Sequence, residues 1–578
     1  MPGDETFDVI VVGAGAAGLT AAAVAATEGR RVLLVEQALR VGGTTAISGG
    51  MVWLPANHKM AEVGRADSLD AARLYLQHTV PPAADGAPMD AFLTRGDEAL
   101  RYLEARTALR LRPVVTYPDY YPDRPGATPG ARVMEPVPFD GATLGPAFAL
   151  LQPPLPEFTV FGGMMVSRAD IPHLRRLARS PRSAWHVAKL LLQHARERLH
   201  APRGTTLHLG NALAGRLLKS ALDAGVVLRT GTAVRQLLVE GGRVVGVELV
   251  QGGAAQRVHA RAGVILASGG LSHDAALRAH FVPPLAGTLT ATLGSAAATS
   301  GARLALAAGA QLSPAPEQQA FWVPASTSTR KDGTPGVFPH TVTDRGKPGL
   351  IAVDQRGRRF VNESLSYHEF VRGQLRAGPA AVPAWLVCDR HFLWRYGLGA
   401  VQPFALSLRR FVRSGTLKRA PTLAALAQTL GLPEIDFTAT VDRFNADARR
   451  GVDTAFGRGG DIYQRHLGDP AHGPNPCVAP LLAAPFYAVA VQPADLGMAA
   501  GLVTDASARV LGADGAPIAG LYACGNDMQS VMNGAYPGPG ITLGPALVFG
   551  YIAARHAAGH AAGHAAGYAA GQAAAQGA

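Results

Sequence analysis

The first apolar run in the chain, Phe7 to Val12 (FDVIVV), is nearly continuous rather than alternating, which predicts a strand covered on both faces, as in a parallel sheet. An alanine-rich stretch to about Thr27 predicts a helix, and Arg31 to Val35 (RVLLV) a second buried strand. Three later runs, Val226 to Val234, Val244 to Leu249 and Gly263 to Gly270 (GVILASGG), read as strands returning to the same sheet. Helical periodicity appears at Leu423 to Leu432 and at Phe437 to Arg450, where Phe437, Val441 and Phe444 share one face and read as core.

The link between the first strand and the first helix gives this pattern a chemistry. It reads Gly13-Ala14-Gly15-Ala16-Ala17-Gly18. In a strand-turn-helix, the first glycine permits a tight turn and the second lets the backbone approach a pyrophosphate. The third allows the helix to pack closely on the strand, and the helix N-terminus then faces the phosphates. Glu36 ends the second strand, eighteen residues past Gly18, and supplies a carboxylate for a ribose hydroxyl. The whole unit predicts a dinucleotide site.

At 578 residues the chain is too long for one ordinary core, so two domains are expected. Hydrophobic residues make up 48% and charged residues 17%, a balance that excludes a disordered chain. Cys388, Cys477 and Cys524 are far apart and form no CxxC pair. That argues against a disulfide framework or a cysteine-ligated cluster, and for a reducing compartment. Asp4 and Glu5 stand where a secretory signal would be basic, and no long apolar run reads as a membrane span, so a cytoplasmic protein is expected. A net charge of +12 attracts polyanions in general, but no interleaving with aromatics marks a nucleic-acid module, and no such partner is expected.

Gly42-Gly43-Thr44-Thr45-Ala46-Ile47-Ser48-Gly49-Gly50 follows directly on the ribose-binding strand. It resembles the flavin-contacting loop of the fumarate reductase/succinate dehydrogenase flavoprotein superfamily. The resemblance implies FAD, with Gly43, Thr44, Thr45, Ser48, Gly49 and Gly50 meeting the pyrophosphate and the isoalloxazine edge. No histidine lies between Gly42 and Gly50, where covalent members carry theirs, so non-covalent FAD is expected. The segments that hold Val234 and Gly269 resemble the part that closes over the adenosine. Gly520 to Asp527 (GLYACGND) resembles the last flavin contact, a strand ending at a helix start. It brings in Gly525, Asn526 and Asp527, with Ile541 and Leu543 beyond. The expected fold is therefore α/β, a Rossmann-like FAD-binding domain over 1–286 and 487–555. An α+β catalytic cap at 287–486 interrupts it, and a low-complexity tail, 556–578, follows.

Desaturation by a flavin needs a base to remove a proton beside a carbonyl and donors to polarise that carbonyl. Tyr536-Pro537-Gly538-Pro539-Gly540 closes on the flavin-facing segment, offering the Tyr536 phenol and the Gly540 amide as donors. The run from Tyr536 to Pro545 resembles that of the 3-ketosteroid Δ1-dehydrogenases. Gly43 to Pro55 (GTTAISGGMVWLP), Tyr117 to Gly126 (YPDYYPDRPG), Arg359 to Tyr367 (RFVNESLSY) and Asp495 to Asp505 (DLGMAAGLVTD) agree with it. The resemblance implies that Tyr536 and Gly540 bind the C3 carbonyl, that Tyr367 removes the C2 proton and that Tyr120 assists. Tyr121 and Tyr117 are too near in sequence to be separated from Tyr120. The implied substrate is an apolar cyclic ketone, a steroid above all, and the electron acceptor is a quinone or another oxidant.

Other readings stay open at this stage. A fumarate-reductase-like enzyme would need cations to clamp carboxylates, yet Tyr536 stands in the loop expected to carry an arginine. Δ4-(5α)-ketosteroid dehydrogenation would use a different tyrosine and serine loop, and an electron-transfer subunit would leave Tyr367 and Tyr536 without a task. His173 to Arg203 carries eight Lys/Arg against one acid, with Trp185 and Leu190 to Leu192 as apolar surface. A solvated helix-loop excursion is the favoured reading, and a peripheral contact with the inner membrane face the alternative. The tail repeats His-Ala-Ala-Gly, with His556, His560, His564, Tyr568 and Gln572 in register. Frequent glycine and the lack of further ligands argue against a metal site.

Overall fold

In the computed structural model the first apolar run lies within a strand from Glu5 to Val12, inside an eight-stranded sheet. The structure describes residues 5–559 apart from 84, 162, 178–179, 295–298 and 315–318. Val9 to Val12 pair in parallel with Val32 to Val35 on one side and with Gly263 to Leu266 on the other. Both faces are covered, and Val9, Ile10 and Val11 have no exposed surface, which is why the run is continuous rather than alternating. Val227–Arg229 extends the sheet beyond the second strand, while Pro517–Ala523 pairs in parallel with the end of Ala254–Leu266. The sheet thus joins residues from both ends of the chain. The Ala16–Thr27 and Leu543–Ala557 helices pack on each other, closely enough that a Cβ at Gly550 would lie 2.7 Å from Ala17 O.

A second sheet has six strands in antiparallel pairs, ordered Pro335–Pro339, Ala320–Thr329, Phe486–Met498, Ala384–Cys388 and Leu350–Val353, with Lys418–Ala420 also on Phe486–Met498. Helices Leu423–Leu430 and Glu434–Arg449 bury Phe437, Val441 and Phe444 in a small core with Ile351, Val353 and Val387 from this sheet. The fold is α/β around the first sheet, with an α+β unit built on the second.

Four local expectations need correction. Val226 to Val234 is not one strand: Val227–Arg229 ends at a turn on Gly231, and Ala233–Glu240 begins an antiparallel pair with Arg243–Gln251. Gly231 N donates to Ala38 O and Thr232 N to Glu36 O, so the break ties this turn to the Glu36 loop. The Gly42 to Gly50 stretch is not all loop, because Gly43–Ile47 winds into a short helix. No helix starts at Gly525. A single 3₁₀ turn, Gly525–Asp527, follows Pro517–Ala523, and the next helix waits until Leu543, past Pro537 and Pro539, which lack the amide a helix interior needs. Finally, Phe486–Met498 belongs to the second sheet, so the chain rejoins the first sheet after Met498 rather than at 487.

The basic segment contains helices Ile171–Arg175 and Pro181–His200, and no helix among the described residues is long and apolar enough to cross a membrane. His556 accepts or donates a 2.9 Å hydrogen bond with Tyr522 Oη at the end of the last helix. The rest of the tail, with His560, His564, Tyr568 and Gln572, lies outside the described residues.

Candidate active site

The chain reverses after the first strand at Gly13, whose φ is +103° and where a Cβ would lie 2.3 Å from Ala267 O. Only glycine fits there. Gly13 N donates to Val35 O and Gly42 N to Ala14 O, so turn, second strand and following loop form one bonded unit. Gly18 brings the helix down on this turn, its Cα so close that a Cβ would sit 1.8 Å from Gly13 O. At Gly15 a Cβ would meet only Thr45 Oγ1 at 3.9 Å, and at Gly43, Gly49 and Gly269 nothing within 4 Å. Open space over the positive end of a helix whose first residues are Ala16 and Ala17 is what a pyrophosphate requires. The residues present fit FAD.

Several side chains expected to face the cofactor also shape its site. Glu36 Oε2 accepts from Ala14 N at 2.8 Å and Oε1 from Ala38 N at 2.9 Å, while burial raises its pKa. Each oxygen keeps a lone pair for a ribose hydroxyl. Thr45 Oγ1 accepts from Ala16 N at 3.1 Å, Thr44 Oγ1 from Leu293 N at 2.9 Å, and Ser48 Oγ from Gly50 N at 3.0 Å. Val234 is buried beside the Glu36 loop. Asp527 has no exposed surface; its carboxylate accepts from Ser268 N, from Ser268 Oγ at 3.0 Å and from Gly270 N at 2.9 Å. Its side chain therefore clamps the turn after Ala254–Leu266. Asn526 packs against Gly270 and Gly497, and Ile541 and Leu543 lead into the last helix.

Past Gly50 the chain runs through Met51 to Trp53, and on these residues the loop of Tyr536 and Gly540 is laid. Trp53 N donates to Gly540 O, and Gly540, with φ +99°, approaches so closely that a Cβ would lie 2.4 Å from Met51 O. The Gly540 carbonyl also accepts from Gly544 N, whereas its own N–H has no acceptor among the described residues. That amide remains free for a ligand oxygen.

Beside it four buried phenols from four distant segments meet. Ring centroids are 5.1 Å apart for Tyr367 and Tyr536, 5.6 Å for Tyr120 and Tyr536, 5.7 Å for Tyr120 and Tyr367, and 4.7 Å for Tyr120 and Tyr463. Of the three neighbouring tyrosines, Tyr120 is the one in ring contact with Tyr367. Tyr121 turns aside to donate to Glu369 Oε1 at 2.9 Å, and Tyr117 stacks on His466 at 4.4 Å beneath Arg168. Burial pushes the phenols of Tyr120, Tyr367 and Tyr536 above their ordinary range. The hydroxyls of Tyr120 and Tyr463 are buried and meet no partner at full hydrogen-bond geometry among the described residues, yet Tyr120 stands close enough to Tyr117 and Tyr367 to act against the burial that raises both.

The scaffold of each phenol is specific. Tyr120 N and Tyr75 Oη both donate to Pro537 O, at 2.9 and 2.6 Å, which joins the Tyr120 loop to that of Tyr536. Next door, buried Asp119 accepts from Trp53 Nε1, Thr128 N and Arg132 Nη1. Tyr367 opens the helix Tyr367–Ala377, capped by Ser366 Oγ, which accepts from Glu369 N at 3.2 Å. Glu363, fully buried, holds the preceding loop between Arg359 and Arg458 at 2.6 and 3.1 Å; burial alone would raise its pKa, and the two guanidiniums outweigh it and lower it.

Sequence reasoning missed Tyr463, and also Phe321 and His368, whose rings lie 5.5 and 5.7 Å from Tyr536. Burial lowers the His368 pKa to about 4, so it is neutral near pH 7. Tyr463 sits in a short capped helix with no motif around it; His368 adjoins Tyr367, the one signal that was available.

This geometry defines a flavoprotein oxidoreductase with a phenol-lined site, and the comparisons agree. The FAD binding domain family matches residues 8–543. The chain is 39% identical over 569 residues to 3-oxosteroid 1-dehydrogenase of Mycobacterium tuberculosis (strain ATCC 25618 / H37Rv), covering 96% of this chain and 98% of that one. It is 38% identical to 4-oxocyclohex-2-ene-1-carboxylate 5-dehydrogenase of Sinomonas cyclohexanicum, covering 95% and 93%. The crystal structure of 3-ketosteroid Δ1-dehydrogenase from Sterolibacterium denitrificans in complex with 1,4-androstadiene-3,17-dione superposes with a TM-score of 0.89 at 35% identity, covering 96% of this chain and 100% of that one. The chain belongs to the FAD-binding flavoproteins and, within them, to the 3-oxosteroid 1-dehydrogenase family. FAD is its cofactor.

Proposed function

We propose that this protein introduces a double bond between C1 and C2 of a 3-ketosteroid. The observation that carries this reading is the meeting of Tyr120, Tyr367 and Tyr536 beside the unspent Gly540 amide. The ketone oxygen accepts from Tyr536 Oη and Gly540 N–H, which stabilises the charge that grows on it as the C2–H bond breaks. Tyr367 takes the C2 proton. A free phenol titrates near 10 and burial raises it further, so Tyr367 needs help; Tyr120, in ring contact and acting against that rise through its hydroxyl, provides the next hydroxyl in a relay. FAD, when bound, supplies the acceptor for the C1 hydride, and its electrons pass on to a quinone or another oxidant. Anaerobic mixing of FAD-loaded protein with 4-androstene-3,17-dione, cholest-4-en-3-one, 4-oxocyclohex-2-ene-1-carboxylate and fumarate tests the reading. Bleaching of the flavin by the steroids with formation of the Δ1 product supports it; bleaching by the carboxylate or fumarate alone overturns it.

The same reading gives the Pro181–His200 helix a task. Trp185, Leu192 and Leu199 fall at seven-residue steps and are 65%, 54% and 78% exposed, while Ser183 and Val187 face inward. Arg182, Lys189, Arg196 and Arg198 flank this outward stripe and are exposed too. An apolar stripe edged with cations suits an anionic lipid surface, the place where an apolar steroid collects. Replacing Trp185, Leu192 and Leu199 by serine is expected to abolish sedimentation with phosphatidylglycerol vesicles, and undiminished sedimentation overturns this part.

A further inference from the structure

Ionising a phenol inside a dry cluster of phenols is expensive unless a fixed positive charge stands near it. Arg345 has no exposed surface. Its Nε donates to His340 O at 2.7 Å, Nη1 to Glu363 O at 3.0 Å and to Leu365 O at 3.2 Å, and Nη2 to Thr341 O at 3.0 Å. Every acceptor is a backbone carbonyl. The other fully buried arginines differ: Arg132 pairs with Asp67 and Asp119, and Arg458 with Glu363. Arg345 makes no such salt bridge among the described residues, although the carboxylate of adjacent Asp344 acts on it electrostatically, and its guanidinium lies 5.1 Å from the Phe370 ring centroid. Two of its acceptors, Glu363 O and Leu365 O, belong to the loop that presents Tyr367.

We propose that Arg345 is a positioning residue for proton removal: it braces the loop that carries Tyr367 and holds a buried positive charge, spent in no salt bridge, against which the phenol cluster takes on negative charge. This rests on the tyrosine chemistry proposed above. Burial raises the pKa of Tyr117 and of Tyr463, and the charge of Arg345 acts against it in both; burial lowers the pKa of Arg345 itself, and ionised Tyr463, the Asp344 carboxylate and ionised Tyr120 act against that, with Arg458 adding to the lowering. The remaining charged groups around the cluster are committed elsewhere or neutral. Asp344 is bonded to His340 Nδ1 at 2.6 Å, Glu369 to Tyr121 and Arg372, and Glu363 to Arg359 and Arg458. Arg168 over Tyr117 is partly exposed and 3.6 Å from Glu135. Asp461 opposes ionisation of Tyr463, and burial holds His368 and His466 neutral near pH 7, with pKa values of about 4.

The test follows anaerobic bleaching of the FAD-loaded protein by 4-androstene-3,17-dione against pH, with FAD content and steroid affinity measured alongside. The phenolate is the active form, so the rate rises with pH, and removing the cation moves the rise to higher pH. Arg345→Gln is expected to shift the rise up by about one unit and to slow bleaching at neutral pH about tenfold. Arg345→Lys keeps the charge with fewer donors, and its rise is expected to stay within a few tenths of a unit of the wild type. A rise that does not move in Arg345→Gln, with only a uniform loss of rate, leaves bracing alone and overturns the proposal. Should Arg345→Gln fail to load FAD, Arg345→Lys decides: a rise displaced by a full unit despite the retained charge overturns it, and an undisplaced rise supports it. Failure of every cyclic ketone to bleach the wild type condemns the functional reading itself, and this proposal falls with it.

Discussion

The turn from Gly13 to Gly18 and the cluster of Tyr120, Tyr367, Tyr463 and Tyr536 are joined through Met51 to Trp53, yet they are built by opposite means. The cradle comes from one short stretch of chain. Its working parts are backbone amides, open space and glycines, and its geometry follows from a strand, a tight turn and a helix. The cluster takes one phenol from each of four segments separated by up to some hundreds of residues, and its working parts are side chains. Local construction makes the cradle robust and generic. Convergent construction makes the cluster dependent on every loop that delivers a ring, and that dependence lets one cofactor fold serve a particular reaction.

If the two regions are separable, damage to the cluster should leave the cofactor bound. Tyr367→Phe is expected to slow anaerobic flavin reduction by about a thousandfold, and Tyr536→Phe by about a hundredfold, with FAD content unchanged. Loss of FAD from either variant would break the comparison. The converse is Gly13→Ala, whose Cβ meets Ala267 O at 2.3 Å in a backbone with φ +103°, so the strand itself has to move. It is expected to purify largely without FAD, as read from the ratio of flavin to protein absorbance.

Smaller effects sharpen the contrast. Glu363→Gln leaves Arg359 and Arg458 without their shared carboxylate and is expected to cost about 3 kcal/mol of stability at pH 7, seen as a lowered Tm. The folded pKa of Glu363 lies below its ordinary 4.5, so this contribution is fully present above that pH and is lost as pH falls through the depressed value. The Tm gap between variant and wild type should therefore close on acidification; a gap that is constant with pH would show that the carboxylate's charge does not matter. Last, Thr45→Val removes the oxygen that accepts from Ala16 N and is expected to weaken FAD binding only about fivefold, or about 1 kcal/mol, by equilibrium titration.

Much of the cradle was legible in order along the chain, because turn, helix start and ribose carboxylate are local patterns. The apolar run at Phe7 to Val12 reads as a covered strand, Gly13 answers a positive φ, Gly18 its close approach to Gly13 O, and Gly15 leaves open space. Val226 to Val234 misled because Gly231 was read through as strand, whereas it takes a positive φ and the turn on it is tied by two hydrogen bonds to Glu36 O and Ala38 O. Asp527 looked like a cofactor ligand beside Gly525, whereas its carboxylate is drawn to amides at Ser268 and Gly270, more than two hundred residues away.

Sequence alone determined the strand, tight turn and helix start that a dinucleotide site needs, since that geometry is enclosed within about thirty residues, although Gly13 must also clear Ala267 O across the sheet. Resemblance in motif named Tyr367, Tyr536 and Gly540, but left Tyr117, Tyr120 and Tyr121 equivalent. Only the tertiary structure shows that it is the Tyr120 ring that reaches Tyr367, with the Tyr120 amide captured by Pro537 O. It alone also brought in Tyr463 and set Arg345 against the Tyr367 loop, bonded to Glu363 O and Leu365 O and in no salt bridge among the described residues. No spacing along the chain encodes such an arrangement, for the partners are chosen by packing and by the need to satisfy buried polar groups.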